Sequence, residues 1–230
     1  WELGVGWIQE RGFPLEGSLS YGVPGLYEGR TEGYYLNDSG RNLREIKRNI
    51  DGVLIDNSQR TVLRSQNRFY LSGDHKAQNT HVDLVAFHAS DASAYSEFYQ
   101  AAYRTDEVPE TSAYLHHASG NHLLTVGARF NTTDFSYRSD RYLATRFIEE
   151  LPVMTYQWLA QPIAETPWHT PIVVDVETQI GQRRSNFDDR ARTRISDRTL
   201  RADQHIEFST PFHFGGFNVR PYFSTRGTFY

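Results

Sequence analysis

Cysteine is absent from this chain of 230 residues, and methionine occurs once. The absence of cysteine excludes disulfides, thiolate metal sites and cysteine nucleophiles. No stretch of eighteen apolar residues occurs either, so the sequence offers no membrane-spanning helix. A strong charge of one sign is also lacking, since the formal net charge is -4. Nucleic-acid-binding domains carry an excess of positive charge, and we therefore expect no nucleic-acid partner.

Aromatic residues, in contrast, are abundant: the chain has 14 Tyr, 14 Phe and 4 Trp. Aromatic side chains favour β-strands and also the interface between a lipid bilayer and water. The mean hydropathy of -0.61 is typical of a soluble protein. Membrane β-barrels have low hydropathy as well, because only alternate residues of each strand face lipid. Hydropathy therefore does not separate the two classes.

Alternation of apolar and polar residues is the main pattern of the sequence. Successive side chains of a strand point to opposite faces, so a period of two predicts a strand with two different faces. In residues 217–230 the apolar set is Phe217, Val219, Pro221 and Phe223, and the polar set is Asn218, Arg220, Tyr222, Ser224 and Arg226. Similar patterns predict roughly eleven strands, over residues 1–7, 15–23, 26–36, 61–72, 81–88, 111–118, 122–131, 151–158, 172–180, 200–208 and 217–230.

Other segments depart from the period of two. Tyr95, Phe98 and Tyr99 are spaced by three and four residues, which predicts a short helix near 91–103. Long polar loops are predicted at 37–59, with room for one helical turn at 43–50, and at 182–198. Pro162 and Pro167 are predicted to end the strand before them, and Gly215-Gly216 to form a turn.

These patterns predict an all-β fold, an antiparallel up-and-down meander, and they are compatible with part of a large outer-membrane β-barrel. The polar faces of the late strands carry charges of both signs, as a water-filled lumen allows, and short turns alternate with long polar loops. A soluble β-sandwich also alternates apolar and polar residues, so these patterns leave both readings open. Because alternation is already established at Trp1, we expect residues 1–230 to be one barrel segment of a longer chain.

The stretch from Arg68 to Ile163 carries a more specific pattern. It contains RFYLSGDH, then HVDLVAFHASDASAYSEFYQAAYRTDEVPETSAYLHHASGNHLLTVGARFN, then EELPVMTYQWLAQPI. A strand leads to Ser90-Asp91, an aromatic-rich segment follows, and later strands return to Leu151-Pro152. This arrangement resembles the barrel domain of the LptD family of lipopolysaccharide-assembly outer-membrane proteins, also called organic solvent tolerance proteins.

The resemblance implies a function, a location and partners. It implies transport of lipopolysaccharide and its insertion into the outer leaflet of the outer membrane. The implied partners are lipopolysaccharide, outer-membrane lipid, a plug lipoprotein of the LptE type and a periplasmic bridge protein of the LptA type. The chain departs from the family in having no recognisable jelly-roll domain, no cysteines for interdomain disulfides and too few strands for the whole barrel.

Candidate binding residues come from the polar faces of the late strands. Arg201, His205, Arg220 and Arg226 are predicted to face the lumen and contact sugars and phosphates. No catalytic residue is predicted, because no Gly-x-Ser-x-Gly motif or glycine-rich phosphate loop occurs. No cofactor is predicted either.

Histidine spacing gives no metal site within a single strand. The adjacent His116 and His117 point to opposite faces of a strand, as do His81 and His88, which are seven residues apart. We therefore predict no metal site. Two other functions share the alternating pattern: a porin-like or adhesive outer-membrane barrel, and a soluble β-sandwich or lipocalin-like binding module.

Overall fold

The structure is a computed structural model. It describes residues 1–38, 59–71, 78–90, 94–99, 110–130, 132, 146–187 and 195–230. Its strands are β1 Glu2–Val5, β2 Pro14–Val23, β3 Tyr27–Asn37, β4 Gln59–Tyr70, β5 Gln78–Ala89, β6 Thr111–Ser119, β7 His122–Phe130, β8 Arg146–Glu165, β9 Pro171–Phe187, β10 Ile195–Ser209, β11 Phe212–Phe214, β12 Phe217–Val219 and β13 Tyr222–Phe229. Helix α1 is Ala94–Phe98.

Eleven of these strands form one antiparallel sheet in which strands β1 to β10 follow sequence order and β13 pairs with β10. The short strands β11 and β12 form a separate hairpin. Within the described residues, β1 and β13 each pair with one neighbour and not with each other. The predicted all-β antiparallel meander is confirmed. No helix among the described residues is long and apolar enough to cross a membrane.

Two faces of the sheet differ sharply, and we call them the apolar face and the polar face. One register row of the apolar face crosses ten strands, and all of its members are apolar or aromatic: Val23, Tyr27, Phe69, Val82, Leu115, Val126, Met154, Ile180, Ala202 and Phe229. The next row along the strands lies on the polar face and consists of Tyr70, His81, His116, Thr125, Thr155, Gln179, Asp203 and Thr228. The period of two seen in the sequence is thus preserved across the whole sheet.

Charged side chains are confined to the polar face through the centre of the sheet. On β9 the apolar face includes Ile180 and every second residue from it. Toward the end of the strand at Phe187, the first charged residue in this series is Arg184, which forms an ion pair with the buried Glu149. Glu149 and Arg184 lie near the ends of β8 and β9 at Arg146 and Phe187. These strands have 20 and 17 residues and are the longest described.

The polar face holds the small buried core of the described structure. Val62, Phe87, Ala89, Ala94 and Tyr95 form one buried cluster. Helix α1 packs on β4 and supplies Ala94 and Tyr95 to this cluster. Helix α1 therefore packs on the polar face, whereas Leu63 and Leu15 on the apolar face are 45% and 43% exposed.

Several boundary predictions were wrong. Residues 182–198 are not one loop: β9 continues to Phe187 and β10 begins at Ile195, because the polar ends of these strands pair with each other. Residues 217–230 are not one strand, since β12 ends at Val219 and β13 starts at Tyr222, with Pro221 unable to donate a ladder hydrogen bond.

Pro162 does not end a strand, because β8 runs on to Glu165. The register of β8 against β9 shifts at Trp158/Gln161 and at Pro162/Ala164, so irregular pairing accommodates the proline. The Gly215-Gly216 turn is confirmed between β11 and β12. Of the helix predicted near 91–103, Ala94–Phe98 is helical, and residues 91–93 and 100–103 lie outside the described residues. The predicted helical turn at 43–50 also lies outside them.

Candidate functional site on the polar face

The four predicted ligand contacts all reach the polar side of the sheet. Arg201 and His205 lie on β10, and Arg226 lies opposite His205 on β13. Arg220 lies between β12 and β13, and its guanidinium reaches β9 and β10. The structure therefore brings together residues that are up to 25 positions apart in the sequence.

Arg201 and Arg226 share one buried carboxylate. Arg201 Nε lies 2.5 Å from Asp203 Oδ2, and Arg226 Nη2 lies 3.8 Å from Asp203 Oδ1. The hydroxyl of Thr228 donates to the same carboxylate at 2.5 Å. Asp203 is only 7% exposed, so the two guanidiniums offset the cost of burying its charge.

Arg220 forms ion pairs with two neighbouring carboxylates. Glu207 and Asp175 are directly opposite each other on β10 and β9, where two carboxylates repel. Arg220 Nη2 lies 3.2 Å from Asp175 and 3.5 Å from Glu207, and Arg220 Nε donates to Ser209 Oγ at 3.0 Å. Arg220, in the connection before β13, therefore links an acidic residue of β9 to one of β10.

A cleft of about 290 Å³ opens beside these pairs. Its walls carry charges of both signs together with neutral hydrogen-bonding groups: Glu177, Gln179, Asp203, His205, Ser224 and Arg226. Acceptors and donors in one cleft suit a polyhydroxylated ligand with some phosphate better than a simple polyanion. The alternation in the sequence locates these residues on one face, but it does not show which acid neutralises which arginine.

A second polar cluster lies where β3, β4 and α1 meet. Arg60 is fully buried, and Asp38 is 2% exposed. Glu97 of α1 forms ion pairs with both Arg60 and Arg11, and Arg11 also binds Asp38. Burial opposes the charge of Arg11, but its hydrogen bonds to Asp38 and Glu97 outweigh this effect and raise the pKa of Arg11.

Aromatic contacts complete this second cluster. The Phe98 ring stacks on Tyr34 with 4.0 Å between centroids, and the guanidinium of Arg60 lies 4.8 Å from the Phe98 centroid. The aromatic spacing in the sequence predicted a helix here but gave no sign of its charged partners, because Arg11, Asp38, Arg60 and Glu97 come from four separate segments. The arrangement ties α1 to the polar face through both charge and ring packing.

A third cluster joins β5 and β6. His81 and His116 are directly opposite each other, and Asp83 lies two residues from His81 on the same face. The Nε2 atoms of the two histidines lie 3.7 and 3.6 Å from Asp83 Oδ2. Sequence reasoning missed this cluster because it compared histidines only within single strands.

No model of a known protein family and no curated protein matches this sequence.

Proposed function

We propose that this chain is part of an outer-membrane β-barrel, with the apolar face against lipid and the polar face lining the interior. The observation that carries the proposal is the uncharged apolar row that crosses ten strands. A lipid-facing surface needs such a row on every strand, whereas a water-filled interior needs the polar row beside it. Joining β1 to β13, directly or through further strands, would close the barrel and remove both sheet edges.

The height of the apolar face fits a bilayer. On β3 the aromatic residues Tyr27 and Tyr35 share this face, and at 3.4 Å per residue they are about 27 Å apart along the strand. A strand tilt of about 40° reduces this to roughly 20 Å along the membrane normal, close to the apolar band of outer-membrane barrels. The charged Arg184–Glu149 pair lies in the outer parts of β9 and β8, where headgroups and water would surround it.

The connections between strands also fit this orientation. On one side of the sheet, β2–β3, β6–β7 and β8–β9 are joined by residues 24–26, 120–121 and 166–170. On the opposite side, residues 38–58, 90–110 and 131–145 join the neighbouring strands. Outer-membrane barrels have short periplasmic turns and longer external loops, so we assign the longer connections to the cell exterior.

Within this class we propose lipopolysaccharide transport and insertion as the function. The resemblance of residues 68–163 to LptD supports it, and the mixed-charge cleft around His205 and Arg226 offers groups for sugars and phosphates. On this proposal the chain works in the outer membrane with a plug lipoprotein of the LptE type and a bridge protein of the LptA type. Its role is passage of an amphiphile, with no chemical step.

A porin-like or adhesive barrel is the second candidate. Arg201, Arg220 and Arg226 all form ion pairs with acidic residues of the same sheet, and this favours the second candidate. Because the positive charges of the lumen are already compensated by these carboxylates, they need no phosphate of a bound lipid. A soluble sandwich would need a second layer over the whole apolar face, whereas the only strands outside the main sheet in the described residues are β11 and β12, of three residues each.

Two adjacent substitutions test whether the apolar face contacts lipid. Leu84 lies on the apolar face of β5 and is 38% exposed, whereas the next residue, Val85, lies on the polar face. Leu84→Arg should destabilise the membrane-inserted protein by roughly 2–4 kcal/mol, and Val85→Arg by about 1 kcal/mol or less. Urea unfolding of the intact protein in phospholipid vesicles, followed by tryptophan fluorescence, measures both. Equal effects of the two variants, or a protein that stays monomeric in water without detergent, would refute the membrane proposal.

A photo-crosslinking pair separates lipopolysaccharide transport from a passive pore. Ser224 lines the mixed-charge cleft, whereas the neighbouring Thr225 lies opposite Ile206 on the apolar face. A photoreactive residue at 224 in the intact protein in cells should capture lipopolysaccharide from the interior, whereas one at 225 should capture the lipid that surrounds the barrel. Failure to capture lipopolysaccharide at 224, with normal assembly of the variant, would favour the porin-like alternative.

A further inference from the structure

We propose that His81, Asp83 and His116 form a binding site for a late first-row divalent metal ion, of which Zn²⁺ is the probe. The site links β5 to β6 on the polar face. It does not depend on the lipopolysaccharide proposal, because it rests only on the geometry of the three side chains. The potential ligand atoms of the three residues all lie within 4.8 Å of one another.

The distances between ligand atoms suit a single ion. With bonds of about 2.0–2.1 Å, neighbouring ligands of a tetrahedral Zn²⁺ are roughly 3.3 Å apart. The two Nε2 atoms lie 3.7 Å and 3.6 Å from Asp83 Oδ2. Small side-chain rotations would close this difference, and the fourth tetrahedral position would be left for water or another ligand.

Hydrogen bonds at the opposite ring nitrogens orient both histidines. His81 Nδ1 lies 3.3 Å from Asn79 Oδ1, and His116 Nδ1 lies 3.2 Å from Thr125 Oγ1. The amide oxygen of Asn79 can only accept a hydrogen bond, so His81 Nδ1 must carry the proton and Nε2 has its lone pair free. In metal sites the ligating histidine commonly donates its second N–H to an outer partner in this way.

The carboxylate is oriented as well. Arg68 Nε donates to Asp83 Oδ1 at 2.6 Å, and Arg68 Nη2 donates to Oδ2 at 2.9 Å. A carboxylate oxygen has two lone pairs, so Oδ2 keeps one for the ion. The positive charge of Arg68 lowers the affinity for a cation but fixes the carboxylate in place.

Burial and access are appropriate for an exchangeable ion. The side chains of His81, Asp83 and His116 are 17%, 25% and 29% exposed, so the ligands are held by packing yet remain reachable. A cleft of about 510 Å³, lined by Arg68 and Asp83, opens beside them. Two imidazoles and one carboxylate form a donor set that Zn²⁺, Cu²⁺, Ni²⁺ and Co²⁺ accept, whereas Mg²⁺ and Ca²⁺ prefer oxygen ligands.

A metal ion bound to both histidines would link β5 to β6 and stabilise the sheet. The His81 and His116 rings are 4.8 Å apart between centroids and 23° from parallel. A metal bound to both would join β5 and β6 at the middle of their pairing, in addition to the backbone ladder. Binding to the folded state alone stabilises it by an amount that grows with metal concentration.

Zinc titration of the intact protein in detergent, by isothermal calorimetry, tests the proposal. We expect one Zn²⁺ per chain, with at least a tenfold loss of affinity in His116→Ala and in His81→Ala. The matched control is His117→Ala: His117 follows His116 but faces the other way and contacts Thr80 Oγ1 at 2.8 Å. Retained affinity in both His116→Ala and His81→Ala, or an equal loss in His117→Ala, would overturn the site. Absence of Zn²⁺ binding by the unaltered protein would overturn it too.

The visible absorption of bound Co²⁺ is a second measurement of the site, and circular dichroism checks that each variant is folded. Co²⁺ added to the unaltered protein should give the strong visible absorption of a four-coordinate cobalt centre, and Asp83→Asn should abolish it while circular dichroism shows the same strand content. Asn79→Ala, which removes only an outer hydrogen bond, should weaken Zn²⁺ binding about tenfold or more without abolishing it. A cobalt spectrum unchanged in Asp83→Asn would refute the assignment of this ligand.

Discussion

Glu97→Gln should release helix α1 from the polar face while leaving the sheet intact. Glu97 is the residue of α1 that binds both Arg11 and Arg60. Among the described residues, two positive side chains, those of Arg11 and Arg60, meet two negative ones, those of Asp38 and Glu97. The substitution keeps the shape of the Glu97 side chain but removes one negative charge from beside the guanidiniums of Arg11 and Arg60.

The magnitude follows from the burial of the partners. An ion pair at about 4 Å contributes roughly 4 kcal/mol at an effective dielectric constant of 20, and Glu97 makes two. Relief from the desolvation of a carboxylate offsets several kcal/mol of this, and the glutamine oxygen still accepts one hydrogen bond. Arg60 has no exposed surface, and the Glu97 side chain is 17% exposed. A net loss of about 3 kcal/mol for the docking of α1 is therefore expected, at the low end for breaking a buried pair.

Thiol labelling can measure this docking because the chain has no cysteine of its own. Ala94 in α1 is fully buried, so a thiol introduced by Ala94→Cys reacts only when the helix lifts from the sheet. A loss of 3 kcal/mol should speed labelling about a hundredfold in the Ala94→Cys/Glu97→Gln double variant. The matched control is Glu165→Gln, since the Glu165 side chain is 72% exposed and its ion pair, at 3.8 Å, is with the exposed His169. Labelling within twofold of the Ala94→Cys parent would show that the charged cluster does not hold α1.

Two further substitutions test packing and charge on the sheet. A side chain at Gly127 would collide with the Tyr114 ring and come within 2.5 Å of the Ala113 carbonyl oxygen, whereas one at Gly33 would meet nothing closer than 3.5 Å. Gly127→Ala should therefore lower the free energy of unfolding by about 1–3 kcal/mol, and Gly33→Ala should be neutral or stabilising. Urea midpoints that fall equally in the two variants would contradict this packing. Arg220→Gln should leave Asp175 and Glu207 facing each other without the cation that bridges them, so the free energy of unfolding should fall by about 1 kcal/mol. A urea midpoint equal to that of the unaltered protein would contradict this role of Arg220.

Regular alternation made most of the fold predictable. The two faces of β7 and of the first half of β5 follow from the period of two in residues 122–131 and 81–84, whereas Val85 and Phe87 are apolar residues on the polar face. The ends of β9 and β10 were not predictable in this way, because their outer halves are polar on both sides. Backbone pairing between the two strands, which a single-strand pattern does not contain, decides that they extend to Phe187 and Ile195.

The clusters were less predictable than the sheet. The positions of Arg201, His205 and Arg226 on one face follow from alternation, but their ion pairs depend on the register between β9, β10 and β13. The His81–His116 pair depends on register in the same way, since the two histidines are 35 positions apart. A one-residue slip between β5 and β6 would place them on opposite faces, so a pattern read strand by strand contains no information about the pair.

The nearly sequential strand order has a consequence for how the sheet assembles. From β2 to β10 every strand pairs with the one made just before it, so each new strand meets an edge that is already formed and needs to close only the one connection to its predecessor. The sheet can therefore grow by one hairpin arm at a time, with its most recent strand as the template for the next. Between β10 and β13 the chain departs from this order, because the β11–β12 hairpin pairs with itself before β13 returns to β10.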